Sequence, residues 1–191
     1  MAKFFGNLHL VLVVGLIAAV AVMLHWAGSA TLDVNSVFRW LHVFFGILWI
    51  GLLYYLNFVQ VPTMPAIPAE QKGAITGHIA PKVFFFFRWA ALLTVVTGLV
   101  LATVKGYGHQ ALTLQGEGQV ALIGIGMWLA LIMAFNVWFI IWPAQKKILG
   151  IVEATAEQKA AAAPRALAAS RTNLLLSLPM LYAMVNANIT A

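Results

Sequence analysis

The chain has no cysteine among its 191 residues. Disulfides, iron–sulfur clusters and thiolate zinc sites are thereby excluded, as is a covalently attached c-type haem, which needs a C-x-x-C-H run. Charge is scarce too: 8% of residues are charged against 63% hydrophobic, too little polar surface to keep a folded chain in water. None of the five acidic residues falls inside a long apolar run. That argues against a proton pump or ion-coupled transporter built on a buried acid. The net charge of +6 would suit nucleic acid, but the Lys and Arg residues are scattered over short loops, not clustered as a groove-binding patch requires. There is no internal repeat and no coiled-coil heptad, and no stretch is left over for a soluble catalytic domain.

Apolar sequence fills the space that these absences leave. Five long runs extend from Leu8 to Trp26, Val37 to Val59, Val83 to Val104, Val120 to Trp142 and Leu174 to Ile189. Each approaches or exceeds the ~20 residues that cross a bilayer as a helix. The expected fold is all-α: one integral membrane bundle over residues 1–191, with five transmembrane helices at about 8–27, 37–60, 83–105, 119–142 and 173–190. The first run is long enough to span and lacks a small-residue cleavage site, so it reads as a retained helix and not a signal peptide.

The cations set the expected orientation. Lys3, Lys72, Lys82, Lys146, Lys147, Lys159, Arg165 and Arg171 fall on one side, and only Arg39 and Lys105 on the other, beside Asp33 and Glu117. The bias puts the N-terminus in the cytoplasm and the C-terminus in the periplasm of a bacterial inner membrane. Trp26, Trp40 and Tyr107 then fall near the outer boundary, and Trp142 near the inner one. Residues 28–36 read as a short outer turn. Residues 61–81 hold Pro62, Pro65, Pro68 and Pro81, so this inner loop is expected to be extended over much of its length. The Ala-rich inner segment 151–170 has Thr155 and Gln158 at capping-box spacing, which suggests a surface helix broken or restarted at Pro164.

Ionisable groups inside spans carry the functional information, because each is costly in hydrocarbon unless partnered. His42 leads. It shares a helix face with Arg39, Gly46 and Trp49 at offsets of three, four and seven. A glycine one turn away leaves room for a flat ring, and Arg39 could pair with a haem propionate or another carboxylate. The plain alternative is a histidine hydrogen-bonded to a neighbouring helix. His25 and His109 are expected on the same outer side, so a b-type haem or a His-rich copper or zinc site could use His42, His25 and His109; snorkelling or solvent exposure is the alternative for the last two. His9 is about 24 Å from His25 along an ideal helix, and His78 is in the inner loop, so neither can join them. Arg88, a few residues into the third span, should face the bundle or snorkel inward. Asn57, Asn136, Ser177 and Asn186 read as interhelical hydrogen-bonding groups. Phe84–Phe87 reads as lipid- and core-facing bulk.

The segment Arg39-Trp40-Leu41-His42, continuing to Gly46-Ile47-Leu48-Trp49-Ile50-Gly51, resembles the signature of the membrane domain of PuuD-type urate hydroxylases. Phe87-Arg88-Trp89 with Thr97-Gly98, Asn136-Val137-Trp138 with Pro143 to Lys147, and Ala169 to Asn173 with Leu176 to Met180 agree with it. The resemblance covers roughly residues 37–184. It implies an oxidoreductase membrane domain that passes electrons from urate to a cytochrome c. In fused relatives that cytochrome follows the membrane domain; here the sequence stops at Ala191, so a separate periplasmic cytochrome c is expected. The wider resemblance is to small haem b membrane proteins, including the HemJ protoporphyrinogen oxidases, in which an early-helix histidine is a haem ligand. His42 is the corresponding position; the lysine ligand of those proteins has no counterpart inside a span. The resulting expectation is a stand-alone redox protein with haem b held by His42, by His25 or His109 as second ligand, and by Arg39, Gly46 and Trp49 around it. A non-enzymatic accessory subunit of a larger respiratory or photosynthetic membrane complex is the rival reading, and a small transporter a weaker one.

Overall fold

The computed structural model describes residues 2–27 and 33–187. Most of the expected outer turn at 28–36, the end of the expected fifth span and the C-terminus lie outside these residues, as does the side chain of Trp26. Among the described residues the chain is helical, with no β-strand. It divides into two compact units, Met1–Val37 and Phe38–Ala191.

In the first unit a helical turn, Ala2–Phe5, precedes helix α1, Leu8–Ala27. Asn7 caps α1, its Oδ1 accepting the Leu10 N–H at 3.1 Å. Leu8, Leu12, Val13, Leu16, Ile17 and Val22 are all exposed, so α1 is apolar on every face, the pattern of a helix solvated by hydrocarbon and not by water. Asp33 caps the next helix, its carboxylate accepting from the Asn35 and Ser36 amides at 3.2 Å each.

Three long helices build the frame of the second unit: α2 (Val34–Ala66, which begins in the first unit), α3 (Ala69–Val104) and, after the short α4 (Gly108–Leu112), α5 (Gly118–Ile148). Together with α1 they make four helices among the described residues that are long and apolar enough to cross a membrane. The last helix, α6 (Ala156–Asn186), combines the Ala-rich segment with the region of the expected fifth span. It is not among the four.

Proline explains the shape of these helices. A proline inside a helix lacks an N–H and clashes with the carbonyl four residues back. Pro62, Pro81 and Pro143 each follow a π-helical stretch, at Tyr55–Gln60, Ile75–Ile79 and Asn136–Ile141. The residue before each proline donates its N–H five residues back: Val61 to Leu56, Ala80 to Ile75, Trp142 to Val137. The widened turn relieves the clash while keeping the backbone bonded. The 61–81 segment is therefore not mostly extended, as its prolines suggested. Helical turns fill nearly all of it, and only Ile67 and Pro68 adopt extended ψ values, 129° and 143°.

Helix α6 likewise runs through Pro164 instead of breaking there. Ala160 and Pro164 are both exposed, so the carbonyl that loses its partner is open to the surroundings. Meanwhile Ala162, Ala166 and Ala169 are buried along one face and hold the helix by packing. The expected capping box is present: Thr155 Oγ1 accepts the Gln158 N–H at 3.2 Å, and Gln158 Oε1 accepts the Thr155 N–H at 3.0 Å.

One core joins these helices through Trp49, Leu53 and Leu56 of α2, Phe84 and Phe87 of α3, Met133 and Val137 of α5, and Met180 of α6. Phe85 and Phe86 point outward, so the phenylalanine run divides between core and exterior as expected. Small residues bring backbones close. A Cβ at Gly126 would lie 3.0 Å from Ala183 Cβ on α6, and one at Gly124 would lie 2.6 Å from the Ala111 carbonyl of α4.

Buried amides lock α6 in place. Asn136 Nδ2 donates to Asn173 Oδ1 at 2.9 Å, and Asn173 Nδ2 donates to the Met133 carbonyl at 3.0 Å. Asn57 Nδ2 donates to Ser170 Oγ at 2.9 Å, and Tyr54 OH pairs with Ser177 Oγ at 3.2 Å. Asn186 is different: it bonds the Tyr182 carbonyl of its own helix and bridges to no other in this bond. Asn173→Ala strands the Asn136 amide and should cost about 1–2 kcal/mol, lowering Tm in detergent. Asn186→Ala should leave Tm unchanged; equal effects of the two would refute this reading of the network.

Candidate functional site

The intramembrane histidine sits where α2 crosses α3. His42 Nδ1 lies 2.9 Å from the Thr94 carbonyl oxygen and 3.4 Å from Thr97 Oγ1. A carbonyl can only accept, so Nδ1 carries the proton and donates it to Thr94. The Thr97 hydroxyl directs its own proton to the Leu93 carbonyl at 2.6 Å, which leaves its oxygen as a second acceptor beside the ring. This fixes the tautomer: Nε2 is the nitrogen with the free lone pair.

The ring lies against the backbone of Gly98. A Cβ there would stand 2.8 Å from His42 Cε1 and 3.0 Å from Nδ1, inside contact distance. Gly98 is therefore the glycine that admits the imidazole ring. Gly46 faces the same part of α3, where an added Cβ would meet Thr94 Cγ2 at an ordinary 3.9 Å. Further along the face Trp49 is fully buried, and its Nε1–H has no hydrogen-bond partner. A buried donor without an acceptor is uncommon enough to need an explanation, and a bound group is one.

Arg39, one turn before His42, is exposed. Its charge acts on Tyr107, which follows α3. Burial pushes the Tyr107 phenol above its ordinary value, and Arg39 partly offsets that rise. His109 is exposed on α4. His25 belongs to the first unit and is exposed near the end of α1. Among the described residues, no three His, Asp or Glu side chains gather as a metal-ion site.

Arg88 faces aromatic rings. Its guanidinium carbon is 3.8 Å from the centroid of Trp142 and 5.5 Å from that of Phe85. Trp138 Nε1 donates to the Arg88 carbonyl at 3.0 Å, and Trp138 meets Trp89 edge-on with centroids 5.5 Å apart. The charge is thus held by π faces.

Haem b fits the donor chemistry at His42. Metal-bound imidazoles characteristically give their other N–H to a carbonyl, which orients the ring and raises its basicity. The Thr94 bond supplies that arrangement from within the chain. Thr94, Thr97 and Gly98 were not assigned to the site from sequence. Their signals were the i, i+3, i+4 spacing, which places them on one helix face, and the place of Thr97-Gly98 among the stretches that carry the family resemblance.

These features define the class: a helical membrane protein with a histidine ordered at a helix crossing. The comparisons then add one finding. Residues 111–190, less than half of the chain, match the family model described as Urate oxidase N-terminal. The match includes Asn136-Val137-Trp138, Pro143 to Lys147 and the Ala169–Met180 region; His42, Arg39 and Gly98 precede it. No curated protein and no solved structure matches the chain.

Gly98→Ala forces the His42 ring off Thr94 and should destabilise the protein by about 1–3 kcal/mol. Adding His42→Ala to Gly98→Ala should recover part of that loss, because the clashing ring is gone. Additive losses in the double-variant cycle would show that the glycine serves another purpose.

Proposed function

We propose that this is a bacterial inner-membrane redox protein related to the urate hydroxylase membrane domain. In this reading it holds one haem b on His42 and serves electron transfer to a separate periplasmic cytochrome c. The observation that carries the reading is the division of labour on the His42 ring: Nδ1–H is committed to the Thr94 carbonyl and Nε2 is left with a lone pair. Haem b, when bound, supplies a one-electron carrier. The protein's part is to hold and orient. His42 would hold the haem iron, with Thr94 and Gly98 fixing its ring; Arg39 would offer a cation for a propionate, Trp49 Nε1 would offer a donor, and Gly46 would help shape the pocket. The second ligand is proposed to be His25 or His109. The similarity of residues 111–190 to the urate oxidase N-terminal family model supports urate as the electron donor.

The protein purified in detergent should show a sharp reduced α-band, absent in His42→Ala and retained in His78→Ala. Anaerobic urate should reduce the bound haem. A colourless protein of normal helix content would overturn the haem reading and favour an accessory subunit of a larger membrane complex. A coloured protein that urate does not reduce would remove the urate assignment alone.

The proposed topology has five spans, the N-terminus in the cytoplasm and the C-terminus in the periplasm, with the second half of α6 as the fifth span. Because the chain has no cysteine, single replacements report cleanly. In spheroplasts Glu117→Cys should react with an impermeant maleimide from outside, and Lys146→Cys only after permeabilisation. The opposite pattern would invert the topology.

A further inference from the structure

A groove of about 300 Å3 lies where the end of α5 meets the start of α6. It belongs to neither the His42 crossing nor the aromatic cage of Arg88. Lys147 enters it from the last turn of α5 and Arg165 from α6, and no acidic side chain is in its lining. Glu153 and Glu157, the acids nearest in sequence, stay outside. Gln158 also lines it. Its Oε1 is already occupied by the Thr155 N–H of the capping box, so what it has left to offer is its NH2, a donor. Every uncommitted polar side-chain group on the walls is therefore cationic or a donor, the complement of a phosphate.

The rest of the lining decides which phosphate. Phe139, Ile140 and Ala162 make an apolar wall. Phe139 is 64% exposed, and its ring packs on Phe135, itself 56% exposed, with centroids 4.8 Å apart. Phe135 lies one turn back along α5, a helix of membrane-spanning length, so the strip leads from the groove toward the hydrocarbon. A free inorganic anion has no use for it. An acyl chain does.

We infer that this groove is a binding site for an anionic phospholipid, with the headgroup phosphate between Lys147 and Arg165 and an acyl chain along Phe139 and Phe135. The site stands independently of the haem reading and of the substrate.

Native mass spectrometry of the full-length protein tests it, with phosphatidylglycerol and phosphatidylcholine of matched chains as probes. Phosphatidylglycerol should be retained about tenfold better, as two near-surface cations allow. Lys147→Gln/Arg165→Gln should abolish the preference. Lys72→Gln/Lys82→Gln, which removes equal charge elsewhere, should preserve it, and so should Arg165→Lys. Phe139→Ala should weaken retention of phosphatidylglycerol. Equal retention of the two lipids, or a preference that survives the Lys147/Arg165 double variant, would overturn the site. Competition by millimolar inorganic phosphate, together with indifference to Phe139→Ala, would make it a free-anion site and overturn the lipid assignment. Both targeted cations are exposed, and circular dichroism should show unchanged helix content in each variant.

Discussion

Every peptide group buried in hydrocarbon must find a partner within the protein, and much of this structure follows from meeting that demand around proline. A backbone group left unpaired in an apolar medium costs several kcal/mol, so a chain that places Pro62, Pro81 and Pro143 in long helices has few options. It widens the turn ahead of each and bonds five residues back. Two of the three wide turns carry an asparagine, Asn57 and Asn136, and both reach α6, through Ser170 and Asn173. The prolines, the wide turns and the docking of the last helix are linked features of the same bundle. Amide contacts and small-residue packing together let α6 continue through a proline that would end an unsupported helix.

The same economy of polar groups operates at His42. Its ring is half-buried; one nitrogen is assigned to a carbonyl of the neighbouring helix, and the glycine on that helix lets the two approach. The arrangement leaves one nitrogen ready for a ligand and holds the ring in a single orientation. Trp49, buried nearby on the same helix, has an N–H unpaired among the described residues, and further along α2 the buried Asn57 Oδ1 and Gln60 Oε1 are also without a partner there.

Three of the positive charges are placed beside groups other than carboxylates. Arg88 rests on Trp142 and Phe85, so its charge is stabilised by ring quadrupoles. Lys147 and Arg165 instead share a groove with Gln158 and an apolar wall, an arrangement suited to an anion supplied by the membrane. Aromatic and lipid partners thus take the role that acids play in soluble proteins, as expected where acidic residues number five in 191.

Long apolar runs made the helical class and four membrane-length helices legible from sequence alone, because hydrophobic length depends on composition and not on neighbours. The Thr155–Gln158 cap was legible for a similar reason: its partners are three residues apart. The importance of His42, Asn57 and Asn136 was legible because polar groups in apolar runs are costly wherever they end up. Their partners were not. Thr94, Thr97 and Gly98 matter only once α2 and α3 cross, and Ser170 and Asn173 only once α6 docks. Local proline rules predicted an extended 61–81 loop and a break at Pro164, but the tertiary packing and widened turns decided both the other way. Contacts between segments far apart in sequence supply the free energy that overrides a local preference, and no spacing along the chain encodes which segments will meet.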